Sequence, residues 1–267
     1  MKVSVFDLEG KEIGKIELPK VFEEPIREDL ILRAFLATMS KKRQPYGADI
    51  FAGKRTSAHY HGLRRITRPE VRMMDREMAR LPRIHSKAPP HMLFEARLVP
   101  QARKGREAHP PKVEKVWEQK INKKEKKKAI HSAIAATAKK ELVLKRGHKV
   151  EEVKELPIVI EDKIQEISKT KDLENFLKKI GLEKELERIR KKKIRAGKGK
   201  TRGRRYKRKT GPLIVITQDK GISKAAKNLP GINVCRVENL SAEVLAPGGV
   251  PGRLTIFTKS AIEKLAD

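Results

Sequence analysis

A chain of 267 residues can bury one good core or two small ones, and its 64 Lys and Arg against 34 Asp and Glu leave a net charge of +30. Self-repulsion of that size opposes a compact state unless a polyanion neutralises it, so a nucleic-acid partner is the first expectation. No run of about 18 apolar residues exists to span a membrane, no positive region followed by an apolar run marks a secretory signal, and a lone Cys235 excludes an internal disulfide, all of which suits the cytosol.

At the start of the chain, Lys2-Val3-Ser4-Val5-Phe6 alternates polar and apolar, Glu9-Gly10 turns it, and Ile13 to Leu18 returns, which predicts a hairpin. From Arg27 to Ser40, Leu30, Ala34 and Ala37 recur at helical spacing beside Ile31 and Phe35. Regular patterning then fades. Residues 41 to 112 hold eight of the fifteen prolines and five of the seven histidines, with 18 bases against 6 acids, and predict an extension ordered by its partner. Within it only Pro69 to Leu81 carries a helical spacing, through Val71, Met74, Met78 and Leu81.

Helical periodicity resumes at Lys123 and runs to about Lys145, before Gly147 supplies a stop. Leu156 to Ile160 has strand character, Asp162 to Ile167 and Asp172 to Ile180 predict short helices, and Leu182, Leu186 and Ile189 mark one face of another. Leu213 to Thr217, Ile232 to Val237 and Leu254 to Thr258 predict strands. Ile222 to Lys227 predicts a helical turn or two, and Lys259 to Leu265 a closing helix. Strands separated by helices give an α/β fold, a largely parallel sheet with helices on both faces, carrying a long irregular internal extension and a basic segment. Cys235 lies in an alternating strand and is expected to be a buried, inert thiol.

The basic segment is residues 188 to 209, with 14 Lys and Arg and no acid; with the +12 of residues 41 to 112 it leaves only +4 for the other 173 residues. A solvated surface usually mixes both signs, and this one does not. Glycines at 197, 199, 203 and 211 deny it a stable helix, Arg204 and Arg205 present forked donors for phosphate, Lys198, Lys200 and Lys207 add mobile charges, and Tyr206 offers a stacking plane. With no helix-turn-helix, zinc finger or basic zipper to enter a major groove, flexible basic strands suit folded RNA better than DNA.

Other motifs resolve to turns. Gly199-Lys200-Thr201 lacks the phosphate-loop glycine five positions earlier, where Ile194 stands, and follows a helix instead of a strand. Ala246-Pro247-Gly248-Gly249-Val250-Pro251-Gly252 lacks dinucleotide-loop spacing and reads as a turn into the last strand. His59, His61, His85, His91 and His109 have no Cys or acid at metal-ligand spacing, so they are read as RNA contacts, with no metal and no cofactor expected. No nucleophile stands with a base and an acid around it, and the chain is read as a non-enzyme.

Several stretches together resemble one family: Ile31-Leu32-Arg33-Ala34-Phe35 with Arg43-Gln44-Pro45-Tyr46-Gly47, Gly53-Lys54-Arg55-Thr56-Ser57-Ala58, Met78-Ala79-Arg80-Leu81-Pro82-Arg83, and Val99 through Lys112. Arg195-Ala196-Gly197-Lys198-Gly199-Lys200, Gly211-Pro212-Leu213, Val237-Glu238-Asn239-Leu240, Leu245 to Gly249 and Pro251-Gly252-Arg253-Leu254 extend it to nearly the whole chain. The family is ribosomal protein four of the large subunit, in its archaeal and eukaryotic branch. The resemblance implies a body of residues 1–42 and 113–267 and an RNA-threading loop of 43–112, with a further RNA-contacting segment at 188–210.

It further implies a structural protein of the cytoplasmic ribosome. Its partners would be large-subunit ribosomal RNA, other large-subunit proteins and, near the loop tip, the nascent polypeptide in the exit tunnel, with no membrane involved. Implied RNA contacts in the loop are Arg43, Tyr46, Lys54, Arg55, His59, His61, Arg64, Arg65, Arg83, Arg103, Lys104, Arg106 and His109. In the basic segment they are Lys198, Lys200, Arg202, Arg204, Arg205, Tyr206 and Arg208. The tunnel tip would fall between Arg83 and Phe94, with Arg83, His85, Lys87 and His91 presented there. This stretch departs from the Gly-rich and Arg-rich tips frequent in the family, reading Ile84-His85-Ser86-Lys87-Ala88-Pro89-Pro90-His91-Met92. An RNA chaperone or processing factor away from the ribosome would share the charge pattern.

Overall fold

Alternation at the N-terminus closes the predicted hairpin: β1 (Lys2–Phe6) pairs antiparallel with β2 (Glu12–Glu17). The computed structural model describes residues 1–62, 73, 77–85 and 88–266, which divide into a unit of Met1–Lys42 with Glu118–Asp267 and a unit of Arg43–Trp117. In the first unit, α1 (Glu28–Lys41) precedes the second unit in sequence, and α2 (Lys123–Ala138), α3 (Lys140–Lys145) and β3 (Ile158–Ile160) follow it. Then come α4 (Thr170–Lys179), α5 (Glu183–Arg190), β4 (Lys193–Ile194), β5 (Tyr206–Lys207) and β6 (Leu213–Ile216). The chain ends with α6 (Ile222–Lys227), β7 (Asn233–Arg236), α7 (Ala242–Leu245), β8 (Thr255–Thr258) and α8 (Lys259–Ala266).

Six strands form one sheet in the order β2-β1-β3-β8-β6-β7, and every pairing but that of β2 is parallel. Because side chains alternate across a strand, the register sorts the apolar residues into two rows. Ile158, Ile256, Ile214 and Val234 face one side, where Leu173, Phe176 and Leu177 of α4, Ile189 of α5 and Ile222 of α6 cover them. Val5, Val159, Phe257, Val215 and Cys235 face the other, under Ile31 of α1, Ile134 of α2 and Ile262 of α8. Phe22 meets Phe257 edge-on with centroids 5.6 Å apart. A sheet buried on both faces explains why β6 reads Leu-Ile-Val-Ile without a polar residue, and each such side chain contributes about 1.5–3 kcal/mol.

Three local features differ from the sequence reading. The helix expected from Lys123 to Lys145 breaks at Lys139, whose backbone is extended, because Ile134 of α2 belongs to one core and Val143 of α3 to the other. The chain must change faces between them. Cys235 is half-buried, not buried, because β7 is an edge strand; burial still pushes its thiol up from the ordinary value. The expected helix of Pro69 to Leu81 falls mostly outside the described residues, and Glu77 to Leu81 are not helical.

The charged side chain of Arg253 lies inside this fold. Arg253, 2 % exposed, donates from Nε to the Gly211 carbonyl at 3.0 Å, from one terminal nitrogen to the Val244 carbonyl at 2.8 Å and from the other to Asn233 Oδ1 at 2.6 Å. Burial, with Arg146 nearby, lowers its pKa to about 10, and the three acceptors compensate for the lost hydration. It therefore holds the start of β6 to the strands on either side. Arg253→Ala strands those buried acceptors and is expected to lower stability by about 3 kcal/mol in urea unfolding, against under about 0.5 kcal/mol for the exposed Arg236→Ala.

Candidate nucleic-acid interface

The basic segment, expected to be irregular, folds into a small hairpin. β4 and β5 pair antiparallel, Lys193 with Lys207 and Ile194 with Tyr206, and Arg195 extends the ladder by donating its backbone N–H to the Arg205 carbonyl at 2.8 Å. The Arg195 guanidinium closes the loop through the Arg204 carbonyl at 2.9 Å. Lys198, Lys200, Arg202, Arg204, Arg205, Tyr206 and Arg208 are all exposed, and Arg205 and Lys192 lie 5.7 and 5.4 Å from the Tyr206 ring. Cations packed this densely in water gain little from one another, so the hairpin presents a polycationic surface with one aromatic plane.

What fixes that surface is a buried charge cluster at its root. Glu185 of α5 is fully buried, and both its oxygens accept 2.7 Å bonds from Arg188. It also accepts from His148 Nδ1 at 2.7 Å and from the Lys149 backbone N–H at 3.0 Å. Arg188 then reaches the Thr210 carbonyl at 2.6 Å, tying the far end of the basic segment to the helix from which it departs. Burial pushes the Glu185 carboxyl up, but Arg188 and His148 outweigh it and hold the acid below its ordinary range. Burial keeps His148 below its ordinary value despite the adjacent carboxylate. Beside this root, Arg146, Lys191, Lys193, Lys207 and Lys209 line a groove of about 680 Å³, a basic cleft of phosphate-accepting character.

In the unit of Arg43–Trp117 the chain doubles back on itself. The backbone N–H of Arg83 donates to the His59 carbonyl, that of Ile84 to the Glu95 carbonyl, that of Phe94 to the Ile84 carbonyl and that of Arg97 to the Pro82 carbonyl. Among its described residues the buried apolar side chains are Ala58, Met73 and Ile84. Gly53, at φ +72°, lies so close to the Arg106 backbone that a Cβ would approach it to 2.5 Å, which binds the two limbs where no side chain fits. The ends of the unit meet at an aromatic clasp: Arg43 lies 3.9 Å from the Trp117 ring centroid, Lys115 4.6 Å, and Tyr46 stacks on Trp117 at 5.4 Å.

The sequence-derived site residues divide by what they do here. Lys54, Arg103, Lys104, Arg106, His91 and His109 are exposed, with His91 on a 3₁₀ turn at Pro90–Met92. Arg55 is also exposed but pairs with Asp49 at 2.6 Å. Arg83 is turned inward, donating to the carbonyls of Phe94 at 2.8 Å and Ala79 at 3.0 Å. His59, His61 and His85 converge, and their ligand-type nitrogens all lie within 4.8 Å of one another. Burial and the neighbouring His59 lower the pKa of both His61 and His85. Arg64, Arg65 and Lys87 lie outside the described residues. Sequence reading missed Trp117, whose one signal is that it is the sole tryptophan, and the cluster of Glu185, His148 and Arg188, whose members lie up to 40 residues apart.

Open parallel sheets bind ligands beyond the carboxyl ends of their strands. Here that edge is closed by a polar network after β3, β6 and β8. Ser260 donates to Asp162, the Thr217 and Ser260 hydroxyls lie 2.9 Å apart, and Gln165 bonds to Asp162, Thr217 and the Gln218 backbone. The space beside β7 is a pocket of only about 200 Å³. Among the described residues no helix is long and apolar enough to cross a membrane.

The root cluster makes stability sensitive to acid. A depressed His148 contributes stability above its unfolded value near 6.5 that is lost as pH falls, and a depressed Glu185 adds a second loss below about 4.5. Urea titrations between these values should show stability falling with pH. His148→Gln should flatten that dependence, whereas an unaltered slope would mean that other groups govern it, and Glu185→Ala should cost about 3 kcal/mol at neutral pH.

A family model described as the ribosomal protein L4/L1 family matches residues 16–267. The large ribosomal subunit protein uL4 of Methanosphaera stadtmanae is 46% identical over 267 residues, all of this chain and 96% of that protein. The uL4 proteins of Nanoarchaeum equitans and Methanopyrus kandleri are 47% and 44% identical, each over all of this chain and 98% of their own length. With the double-faced parallel sheet, the basic hairpin and the basic doubled-back unit in place, the chain belongs to the ribosomal protein L4/L1 family.

Proposed function

We propose that this protein is a structural, non-enzymatic constituent of the large ribosomal subunit. It binds large-subunit ribosomal RNA through the β4–β5 hairpin and the unit of Arg43–Trp117, and contacts other large-subunit proteins within the cytoplasmic ribosome. The observation that carries this reading is the separation of charge: an acid-free run of 14 cations, nearly all exposed from Lys191 to Lys209, stands on a body whose own acids and bases nearly balance. Lys198, Lys200, Arg202, Arg204, Arg205 and Arg208 meet phosphates, and Tyr206 stacks on a base or sugar. In the loop unit, Arg43 and Tyr46 act at the clasp, while Lys54, Arg55, Arg64, Arg65, Arg103, Lys104, Arg106 and His109 contact RNA. The segment from Arg83 to Phe94, including His85, Lys87 and His91, reaches the nascent chain in the exit tunnel.

Binding is driven by counterion release, and many phosphate contacts offset the cost of ordering a unit with few buried apolar side chains among its described residues. In filter binding to large-subunit RNA, log K should fall by roughly 0.7–0.9 per phosphate neutralised as log salt rises. Replacing Lys198, Lys200, Arg202 and Arg204 together by Ala should reduce that slope by roughly 3. A flat salt response would overturn the electrostatic mechanism. A photo-crosslinker at His91 in translating ribosomes should capture nascent chain; capture of RNA alone would remove the tunnel assignment and leave the ribosomal one standing.

A further inference from the structure

The three converging histidines are not explained by RNA binding, since their nitrogens face one another. His61 Nε2 lies 2.8 Å from His85 Nε2, and His85 Nε2 lies 2.9 Å from His59 Nε2. The rings stand edge-to-face, with centroids 4.0, 4.1 and 4.4 Å apart and interplanar angles of 62°, 73° and 69°, so they converge without stacking.

Backbone pairing builds this arrangement. His59 and His61 are two residues apart, and the antiparallel bridge between His59 and Arg83 brings His85 alongside them from the opposite limb. The His59 Nδ1 atom lies 2.9 Å from the Ser57 carbonyl, which can only accept, so Nδ1 carries the proton and Nε2 the lone pair; His85 Nε2 lies 3.1 Å from Nδ1 and 2.9 Å from Nε2, and a turn of the His59 ring aims that lone pair at the cluster. A histidine oriented by donating its other nitrogen to a backbone carbonyl is the arrangement that metal-bound histidines adopt.

Neutral imidazole offers one lone pair for a metal, and three imidazole nitrogens are brought within reach of one point here. A cation placed there would accept a lone pair from each ring. Zinc bonds to histidine nitrogen at about 2.0–2.1 Å, which places tetrahedral ligand nitrogens roughly 3.4 Å apart. The separations of 2.8 and 2.9 Å are about half an ångström shorter, a gap that small ring rotations close. Among the described residues the group holds no Cys or acid, and a water or a phosphate oxygen would take the fourth position.

We propose that His59, His61 and His85 form a three-histidine site for a divalent transition-metal ion, zinc above all, that cross-links the two limbs of the loop unit. The ion adds to the few apolar contacts seen among the described residues of this unit, as structural zinc does in small domains. The inference stands on side-chain geometry alone and does not depend on the ribosomal assignment.

The test uses the full chain, freed of nucleic acid and stripped with a chelator, titrated with Zn²⁺ by calorimetry and with Co²⁺ by visible absorption. The expected result is one ion per chain with the intense absorption of a tetrahedral Co²⁺ centre. His59→Gln, His61→Gln and His85→Gln should each weaken binding by at least about tenfold, while His91→Gln and His109→Gln leave it unchanged. Absence of the tetrahedral spectrum in the unaltered chain would overturn the proposal without any variant. Equal losses in the cluster and control variants would overturn it too, by showing that binding is nonspecific.

Discussion

Sixty-four cations and thirty-four acids must be placed on one chain, and a sheet covered on both faces has almost no room for them. Strands such as Leu213–Ile216, buried on every side, demand that charge be kept out or fully paired. The fold does both. Arg253 enters the body only because three carbonyl or amide oxygens meet its guanidinium, and Glu185 only because Arg188 and His148 meet its carboxyl. The remaining excess is displaced onto a hairpin and an inserted unit, where water or a polyanion can reach it.

This division also explains how polycationic elements keep a defined shape. In each excursion a few charged groups serve in anchoring. The hairpin is pinned at its root by Arg188 on the Thr210 carbonyl, after which Gly211 and Pro212 lead the chain into β6. The inserted unit closes on the Trp117 clasp, where Arg43, Tyr46 and Lys115 share one indole. Exposed cations are thus left free to be chosen for their partner, while anchoring falls to buried or stacked groups. The proposed zinc site fits the same logic within the inserted unit, where Ala58, Met73 and Ile84 are the buried apolar side chains among the described residues.

Much of this was legible in the sequence, because its signals are local. The apolar run of β6 and the spacing of Ile31, Ala34 and Ala37 in α1 report burial directly, whereas the period-two alternation of β1 gives the strand but not its burial, since Ser4 is buried too. The basic segment announced itself by the absence of acids, although its hairpin did not, since two short pairs between Lys193 and Lys207 leave no periodicity to read. Long-range polar arrangements were invisible for a similar reason. Glu185 with His148, Arg253 with Asn233, and His59 with His85 meet only after the chain has folded, and each residue alone looks like ordinary surface polarity. The break at Lys139 was hidden because periodicity reports that a face is buried, but not in which of two cores.

If the displaced charge is what engages RNA, the most direct measurement is amide hydrogen exchange on the free chain and on the chain within large subunits. The account predicts strong new protection at residues 193–207 and across 43–117, and little change in the already buried strands β3, β6 and β8. Protection concentrated instead on the sheet edge and its flanking loop, residues 217–239, with the hairpin still exchanging freely, would contradict it.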